Sequence, residues 1–535
     1  MQSASILAAD NPLSILYQKP RILFVSSAAA CGGLLFGYDL GVTGGVTTLQ
    51  PWADLFFPGL GQHDGTSAYC SYNNDDANLW TSSMFLAGAF ASTVVLALTN
   101  CKLMHNYGGG LGRRGVMVCG GAAFLVGAVL QAAAINWPML IIGRILLGVG
   151  IGFANESVPP YISEMAPPKL RGGLNMLFQL MTVIGIFVAS LVNLGVGSYS
   201  WGWRLSLGLA CVPAVIFMMG TGFCPDSPNS ILEHDPDNIE KARKTLQMLR
   251  PDNHDFDLEL EEIQNNARET REESFWGSVS MLYSRLHWKQ AAAALLIPWF
   301  QQFSGINSIM FYAPQLFKVM GNSGNMALVN TCVTTGVMVL ATFIGIFAVD
   351  KLGRKPLFYI AGLIMFTMQI ATGALAKTNI HPWTHFTHDA TGASSVSHAA
   401  GTAMMVTICL FVVAFAFSWG PLGWLVPSEI HTNQTRTAGM CGSVFSNFIA
   451  SFLVGQCFNR MLCSMEYGVF FFFAGWMVLM TSYVAFFLPE TKDLGVENVM
   501  IAWDTVPNLP WRQKRADARL PTAAATNTAD PKTNY

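Results

Sequence analysis

The chain has 535 residues, 52% of them hydrophobic and only 12% charged. Its mean hydropathy is +0.39. Soluble domains carry about 25% charged residues, so this composition excludes a soluble globular protein, and a net charge of −2 offers no basic surface for a nucleic acid.

In chain order, residues 1–21 are polar, end in Lys19-Pro20-Arg21 and read as a cytosolic N-terminus. The apolar run that follows lasts about 25 residues, too long for the core of a cleaved signal peptide, so it is an uncleaved first span. At about 20 apolar residues per crossing, the spans fall near 22–47, 79–101, 115–134, 138–160, 171–194, 203–223, 289–319, 326–349, 355–376, 400–428, 436–462 and 467–488. One set of connections holds Lys102, Arg113, Arg114, Lys169, Arg171, a cluster in 241–271, Lys351, Arg354, Lys355 and Arg436. The alternate set is nearly bare, so the basic set and both termini face the cytosol. The expected fold is an all-α membrane protein of twelve transmembrane helices in two six-helix bundles, 22–223 and 289–488. An outside loop (48–78), a cytosolic loop with short helices (224–288) and a cytosolic tail (489–535) complete it. Asn433-Gln434-Thr435 falls on the cytosolic side and is not expected to be glycosylated.

The two halves repeat one another. Gly112-Arg113-Arg114 after span two answers Asp350-Lys351-Leu352-Gly353-Arg354-Lys355 after span eight. Ser163-Glu164 with Arg171 seven residues on answers Ser428-Glu429 with Arg436 seven residues on. Pro225-Asp226-Ser227 answers Pro489-Glu490-Thr491, and the offset is 265 for the Glu pair and 264 for the Pro pair. Duplicated bundles place a substrate site near the midplane between them. The recurring Glu164 with Arg171 and Glu429 with Arg436, together with Arg113, Arg354, Asp350 and Glu156 at cytosolic helix ends, suit ion pairs that hold while the inside is shut and part when it opens. Lone Lys and Arg residues need only the anchoring role.

Asp39, deep in span one, and Arg144, early in span four, fall at similar depth in the outer half. A lone charge at a helix centre costs about 2.5–3.5 kcal/mol on insertion scales, so the two are expected to pair. Such a pair either ties two helices together or exchanges a proton. Beside Arg144 the Asp39 carboxylate keeps its charge; parted from it and dehydrated, it takes up a proton. Glu156, nearer the cytosol in span four, fits either the Glu164/Arg171 gate or a second protonatable group, and the gate is favoured. No Cys-x-x-Cys or Cys/His cluster suggests a metal. No nucleophile–base constellation suggests an enzyme.

The strings Phe36-Gly37-Tyr38-Asp39-Leu40-Gly41-Val42-Thr43-Gly44-Gly45, Gly143-Arg144, Pro160-Tyr161-Ile162-Ser163-Glu164, Gln301-Gln302-Phe303-Ser304-Gly305-Ile306-Asn307 and Trp419-Gly420-Pro421-Leu422-Gly423-Trp424 closely resemble the sugar porters of the major facilitator superfamily. The specific match is to plant and green-algal proton/monosaccharide symporters. The resemblance covers nearly the whole chain and implies two bundles rocking about a central site. It makes Asp39 the proton acceptor and Arg144 its partner. Gln179, Gln301, Gln302, Asn307 and Asn447 become the sugar-contacting amides, Trp424 the stacking aromatic, and Phe36 and Ile184 the apolar side. Amides both donate and accept, as a ring of hydroxyls requires; within spans they also serve as interhelical glue. Met338 stands where the family usually has Asn, so one sugar hydrogen bond is missing unless Thr334 or Thr335 supplies it. Gly108-Gly109-Gly110-Leu111 is an insertion before Gly112-Arg113-Arg114, read as a flexible gate loop. The resemblance also pairs Cys70 with Cys463 in a disulfide that ties the outside loop, as a lid, across the halves. It implies no cofactor beyond a proton gradient, a monosaccharide and a proton as partners, a functional monomer in the plasma membrane, and transport of hexose. The rivals are facilitated diffusion of a sugar or polyol such as inositol, and a non-transporting sugar sensor.

Overall fold

The computed structural model describes residues 19–60, 68–99, 112–167, 170–250, 255–272, 275–284, 286–319, 324–379, 398–492 and 503. Every regular element among the described residues is helical. Ten helices there are long and apolar enough to cross a membrane: Pro20–Val46, Arg113–Ala132, Trp137–Met165, Arg171–Val196, Gly202–Phe223, Asn325–Val349, Arg354–Thr378, Gly401–Glu429, Thr435–Met465 and Gly468–Phe487. Two more elements complete the twelve expected spans. Asp75–Thr99 is the second, and Trp288–Phe303 continued by Ile306–Val319 is the seventh. Large apolar side chains such as Phe24, Phe90, Phe347, Leu363 and Phe486 are exposed on the outer faces, where hydrocarbon rather than water is the solvent.

The sequence repeat becomes a packing repeat. In the N-terminal half, span one packs on five, three on four, three on six and two on four. In the C-terminal half, span seven packs on eleven, nine on ten, nine on twelve and eight on ten. The halves meet along spans two and eleven and along spans five and eight.

Glycine spacing explains how tightly span one is held. Gly33, Gly37, Gly41 and Gly45 recur every fourth residue and so share one helix face. A Cβ on any of them would strike Phe178, Thr182, Ile186 or Asn193 of span five. Small residues at this spacing let two membrane helices approach backbone to backbone. The same contact turns Asp39 and Phe36 away from span five.

Two helices in the C-terminal half are broken at mid-membrane. Span seven breaks at Ser304-Gly305, where Gly305 takes φ 85° and the Phe473 ring fills the space a Cβ would need. Span ten breaks between Ala416 and Trp419. Irregular backbone at this depth is tolerated only inside protein or along a cavity, and in carriers such breaks mark the binding region.

Cytosolic helices Pro228–His234, Ile239–Leu249 and Phe256–Glu272 pack on one another through Ile231, Leu232, Leu246, Leu260 and Ile263. Arg250 ties this layer to the bundle, donating to the Met165 carbonyl at 2.8 Å while it holds Glu259 at 2.7 Å.

Candidate functional site

Asp39 and Arg144 meet. One guanidinium nitrogen, Nη1, lies 2.7 Å from each carboxylate oxygen of Asp39, and the other, Nη2, donates to Thr43 Oγ1 at 2.6 Å. Thr43 sits one turn beyond Asp39, and its hydroxyl donates to the Asp39 carbonyl at 2.6 Å. The guanidinium lies 3.9 Å from the centroid of the Trp80 ring. Arg144 and Asp39 are 0% and 1% exposed. Spacing alone did not reveal Thr43 or Trp80 as partners of the pair, and only packing brings them to it. A buried Arg closed in by a carboxylate, a hydroxyl and an aromatic face is well neutralised. Removing the carboxylate charge would leave it stranded.

The amides of the C-terminal half form one network. Asn447 Nδ2 donates to Gln301 Oε1 at 2.7 Å, and Gln302 Nε2 donates to Asn447 Oδ1 at 3.1 Å. Gln301 Nε2 in turn donates to the carbonyls of Trp419 and Gly420, at 3.0 and 2.7 Å, where span ten is broken. Gln302 Oε1 is buried with no partner. Asn307 donates to Ser451 Oγ at 3.1 Å. Gln179 comes from the other half to face Gly420. It lines a pocket with Phe178, Pro421, Trp424 and Ser428, where the Trp424 and Phe178 rings meet edge-on at 6.2 Å. Ile184 is half-buried on span five.

Phe36 links the two centres, one turn before Asp39 on span one. Its ring is 6.4 Å from Phe85 and 6.1 Å from Phe448, the neighbour of Asn447. Phe85 and Phe448 are additions that only the packing supplies. Met338 is buried at 2% exposure on span eight. Thr334 and Thr335 donate at 2.9 Å to the Asn330 and Thr331 carbonyls of their own helix, so their protons are already engaged within span eight.

The cytosolic ion pairs differ from the seven-residue pairing expected. Glu164 lies 3.6 Å from Arg113, not against Arg171, and also accepts from Ser227 Oγ. Glu429 is held by Arg354 at 2.7 and 3.2 Å, not by Arg436, and accepts from Thr491 Oγ1 at 2.7 Å. The cause is helix direction. Each Glu ends a span and each partner Arg opens the antiparallel neighbour, and both charges are unfavourable to their own helix dipole. Pairing across the two ends cancels both costs. Arg171 Nε instead donates to the Ser163 carbonyl at 3.1 Å. The third repeated landmark acquires a role here. Glu490 accepts the backbone N–H groups of Arg354 and Lys355 at 2.9 Å each, and Asp226 accepts that of Arg114 at 3.4 Å. The side chain of Asp350 and the Gly108–Leu111 insertion lie outside the described residues.

Between the halves on this side is a polar chamber lined by Arg113, Glu156, Glu164, Glu233, Arg436 and Thr437 among others. Glu233, outside the spans, is pushed up to about 7 by burial, with Arg113 pulling it down and Glu164 and Asp226 pushing it up.

On the opposite face Cys70 and Cys463 form a disulfide with Cα atoms 4.5 Å apart. Asn459 donates to the Tyr72 carbonyl at 3.1 Å and to Asn78 at 2.7 Å. Trp52 of the outside loop meets Trp80 at 4.7 Å with the ring planes tilted by 48°, so Trp52, Trp80, Arg144 and Asp39 form one continuous chain of contacts from the outside loop to the ion pair. Thr47 and Gln315 close spans one and seven at 3.1 Å.

Two six-helix bundles with broken helices about a central polar site define a membrane carrier of the major facilitator fold. Residues 25–503 match the model of the "Sugar (and other) transporter" family, and the chain belongs to that family. It is 44% identical over 483 residues to H(+)/hexose cotransporter 2 of Parachlorella kessleri, covering 89% of this chain and 86% of that one. It is 42% identical over 489 residues to sugar transport protein MST3 of Oryza sativa subsp. japonica, covering 90% of each. Among solved structures, it superposes on the proton:xylose symporter XylE bound to 6-bromo-6-deoxy-D-glucose with TM-score 0.74 at 25% identity, over 91% of this chain and 100% of that one. The inward-open form of XylE from E. coli gives TM-score 0.66 at 24% identity, over 90% and 100%.

Proposed function

We propose that this protein is a proton/monosaccharide symporter that imports a glucose-like hexose by alternating access. Asp39 is its proton site and Arg144 the counter-charge. The observation that carries the reading is the arrangement itself. A fully buried, single-carboxylate proton site is joined through Phe36, Phe85 and Phe448 to an amide network made of donors and acceptors in series. Protonation of Asp39 would release Arg144, loosen span one against span four, and shift Phe36 against the sugar. Similarity to a hexose cotransporter over most of both chains supports the same reading.

Gln179, Gln301, Gln302, Asn307 and Asn447 hold the sugar hydroxyls in this account, Trp424 stacks on the ring, and Phe36, Ile184 and Met338 form apolar contacts. Glu164, Arg113, Glu429 and Arg354 are the inner latch, with Arg171 and Arg436 beside it. The protein works as a monomer in the plasma membrane, without a cofactor, driven by the proton gradient.

The test is labelled glucose uptake by reconstituted protein with and without an inward proton gradient, with galactose, mannose, xylose and inositol as competitors. Uphill accumulation that collapses with the gradient is expected. Equilibration that never exceeds the outside concentration would make the protein a facilitative carrier, and no flux at all would make it a sensor.

A further inference from the structure

We propose that Glu156 is a second proton-binding site, reached only from the cytosol, that holds the inner gate shut while it carries its proton. The proposal rests on the transport reading above but not on the role of Asp39. Glu156 is 6% exposed, and its Oε2 has no hydrogen-bond partner. It lines the chamber between the halves rather than the Asp39 site. Two internal prolines, Pro159 and Pro160, follow it in span four. Pro160 has no N–H to give the Glu156 carbonyl, so the helix lacks its usual hydrogen bond at this point.

The surrounding charges do not neutralise it. From span three comes Arg113, within ion-pair range of Glu164 at 3.6 Å and Glu233 at 3.7 Å, with its Nε buried and unpartnered. Asp226, whose field also reaches Glu233, precedes the cytosolic helix. Span eleven brings Arg436 to the chamber wall and Cys441, whose thiol donates to the Ser92 carbonyl at 3.8 Å. Arg171 lies beyond, beside Arg436. Three glutamates and two arginines thus line one chamber; among the described residues no arginine comes within ion-pair distance of Glu156, and its Oε2 is buried without a donor. A buried carboxylate without a partner is strongly unfavourable, whereas its neutral acid is tolerated.

The closed chamber therefore favours the protonated acid, and a parted, wetted chamber favours the carboxylate. The proton comes from cytosolic water and returns to it, so no proton is added to the transport stoichiometry. By linkage, cytosolic acid favours the closed inner gate and cytosolic alkali favours opening. For one site the change is at most tenfold per pH unit.

The experiment is exchange of labelled glucose at equal sugar on both sides of right-side-out vesicles carrying the full chain, with outside pH fixed and inside pH varied from about 6 to about 8. Exchange needs no uphill coupling, so a failed symport reading would appear separately as absent accumulation. The wild-type rate should fall as the inside is acidified, and Glu156→Gln, which mimics the protonated form, should be slow and flat across that range. A Glu156→Gln profile that still follows inside pH as wild type does would overturn the proposal. So would a wild type insensitive to inside pH. Should the variant fail to fold, a hydrophobic carbodiimide, which attacks protonated buried carboxyls, tests the wild-type protein directly. Labelling at Glu156 in acid that fades in alkali is expected, and labelling independent of pH, or none, would refute it.

Discussion

The two halves share one scaffold and differ in what they hold at mid-membrane. The N-terminal half buries a full ion pair, Asp39 with Arg144, on spans one and four. The C-terminal half breaks spans seven and ten and fills the gap with neutral amides. A charge pair can change state by one proton, while a chain of amides can exchange internal hydrogen bonds for those of a ring of hydroxyls. Duplication fixed the frame, and the halves then diverged at the positions where frame residues do not reach.

Asp39→Asn should break this division most severely. It removes the titrating group and strands Arg144, a loss of the order of 3–5 kcal/mol for a buried pair cut on one side. Uphill accumulation should vanish in vesicle uptake, and the melting temperature should drop. Retained accumulation would leave the pair as a structural tie only. On the other side of the comparison, Asn447→Ala opens the amide network while leaving the ion pair intact. Leaving buried partners unsatisfied costs about 1–3 kcal/mol, so sugar affinity should weaken roughly ten- to hundredfold with the outside pH dependence kept.

The gate latches sharpen the contrast. Glu429 and Arg354 make two close contacts, at 2.7 and 3.2 Å, whereas Glu164 and Arg113 stand at 3.6 Å. Arg354→Ala should therefore open the inner face more than Arg113→Ala, as read by modification of a cysteine placed at Ser428. Equal labelling would mean that the latches are equivalent.

A smaller effect concerns His431, which joins spans ten and eleven outside the bilayer. Burial, with Arg436 and His287 nearby, lowers its imidazole from 6.5 to about 3. The unfolded chain then binds this proton more readily than the folded one, so stability is intact above about 6.5 and drains away as pH falls toward about 3. Thermal unfolding of His431→Gln should show a flatter acid limb than wild type. The smallest effect is expected at Arg460 and Asp75, an exposed pair on the outer rim. Asp75→Asn should leave uptake and melting unchanged, in contrast to reduction of the neighbouring disulfide, which should alter the uptake pH profile.

What the sequence by itself determined was whatever depends on solvent and repetition. Runs of apolar residues placed the spans, Lys and Arg placed their ends, and a constant offset disclosed the duplicated frame. The meeting of Asp39 with Arg144 was also legible, because two charges at one depth in hydrocarbon have few other partners. The residues around them were not. Thr43, Trp80, Phe85 and Phe448 look like any other span residues until helix rotation brings them inward. The latch residues were legible as a set, Arg113 and Arg354 among them, but their pairing was not. Spacing along the chain suggested Glu164 with Arg171 and Glu429 with Arg436, but only the antiparallel packing of spans three on four and nine on ten decides which helix end faces which. Glu156 shows the same limit most clearly. Its sequence position allowed either a gate or a proton site, and its unpartnered oxygen became visible only once the packing showed which side chains line its chamber.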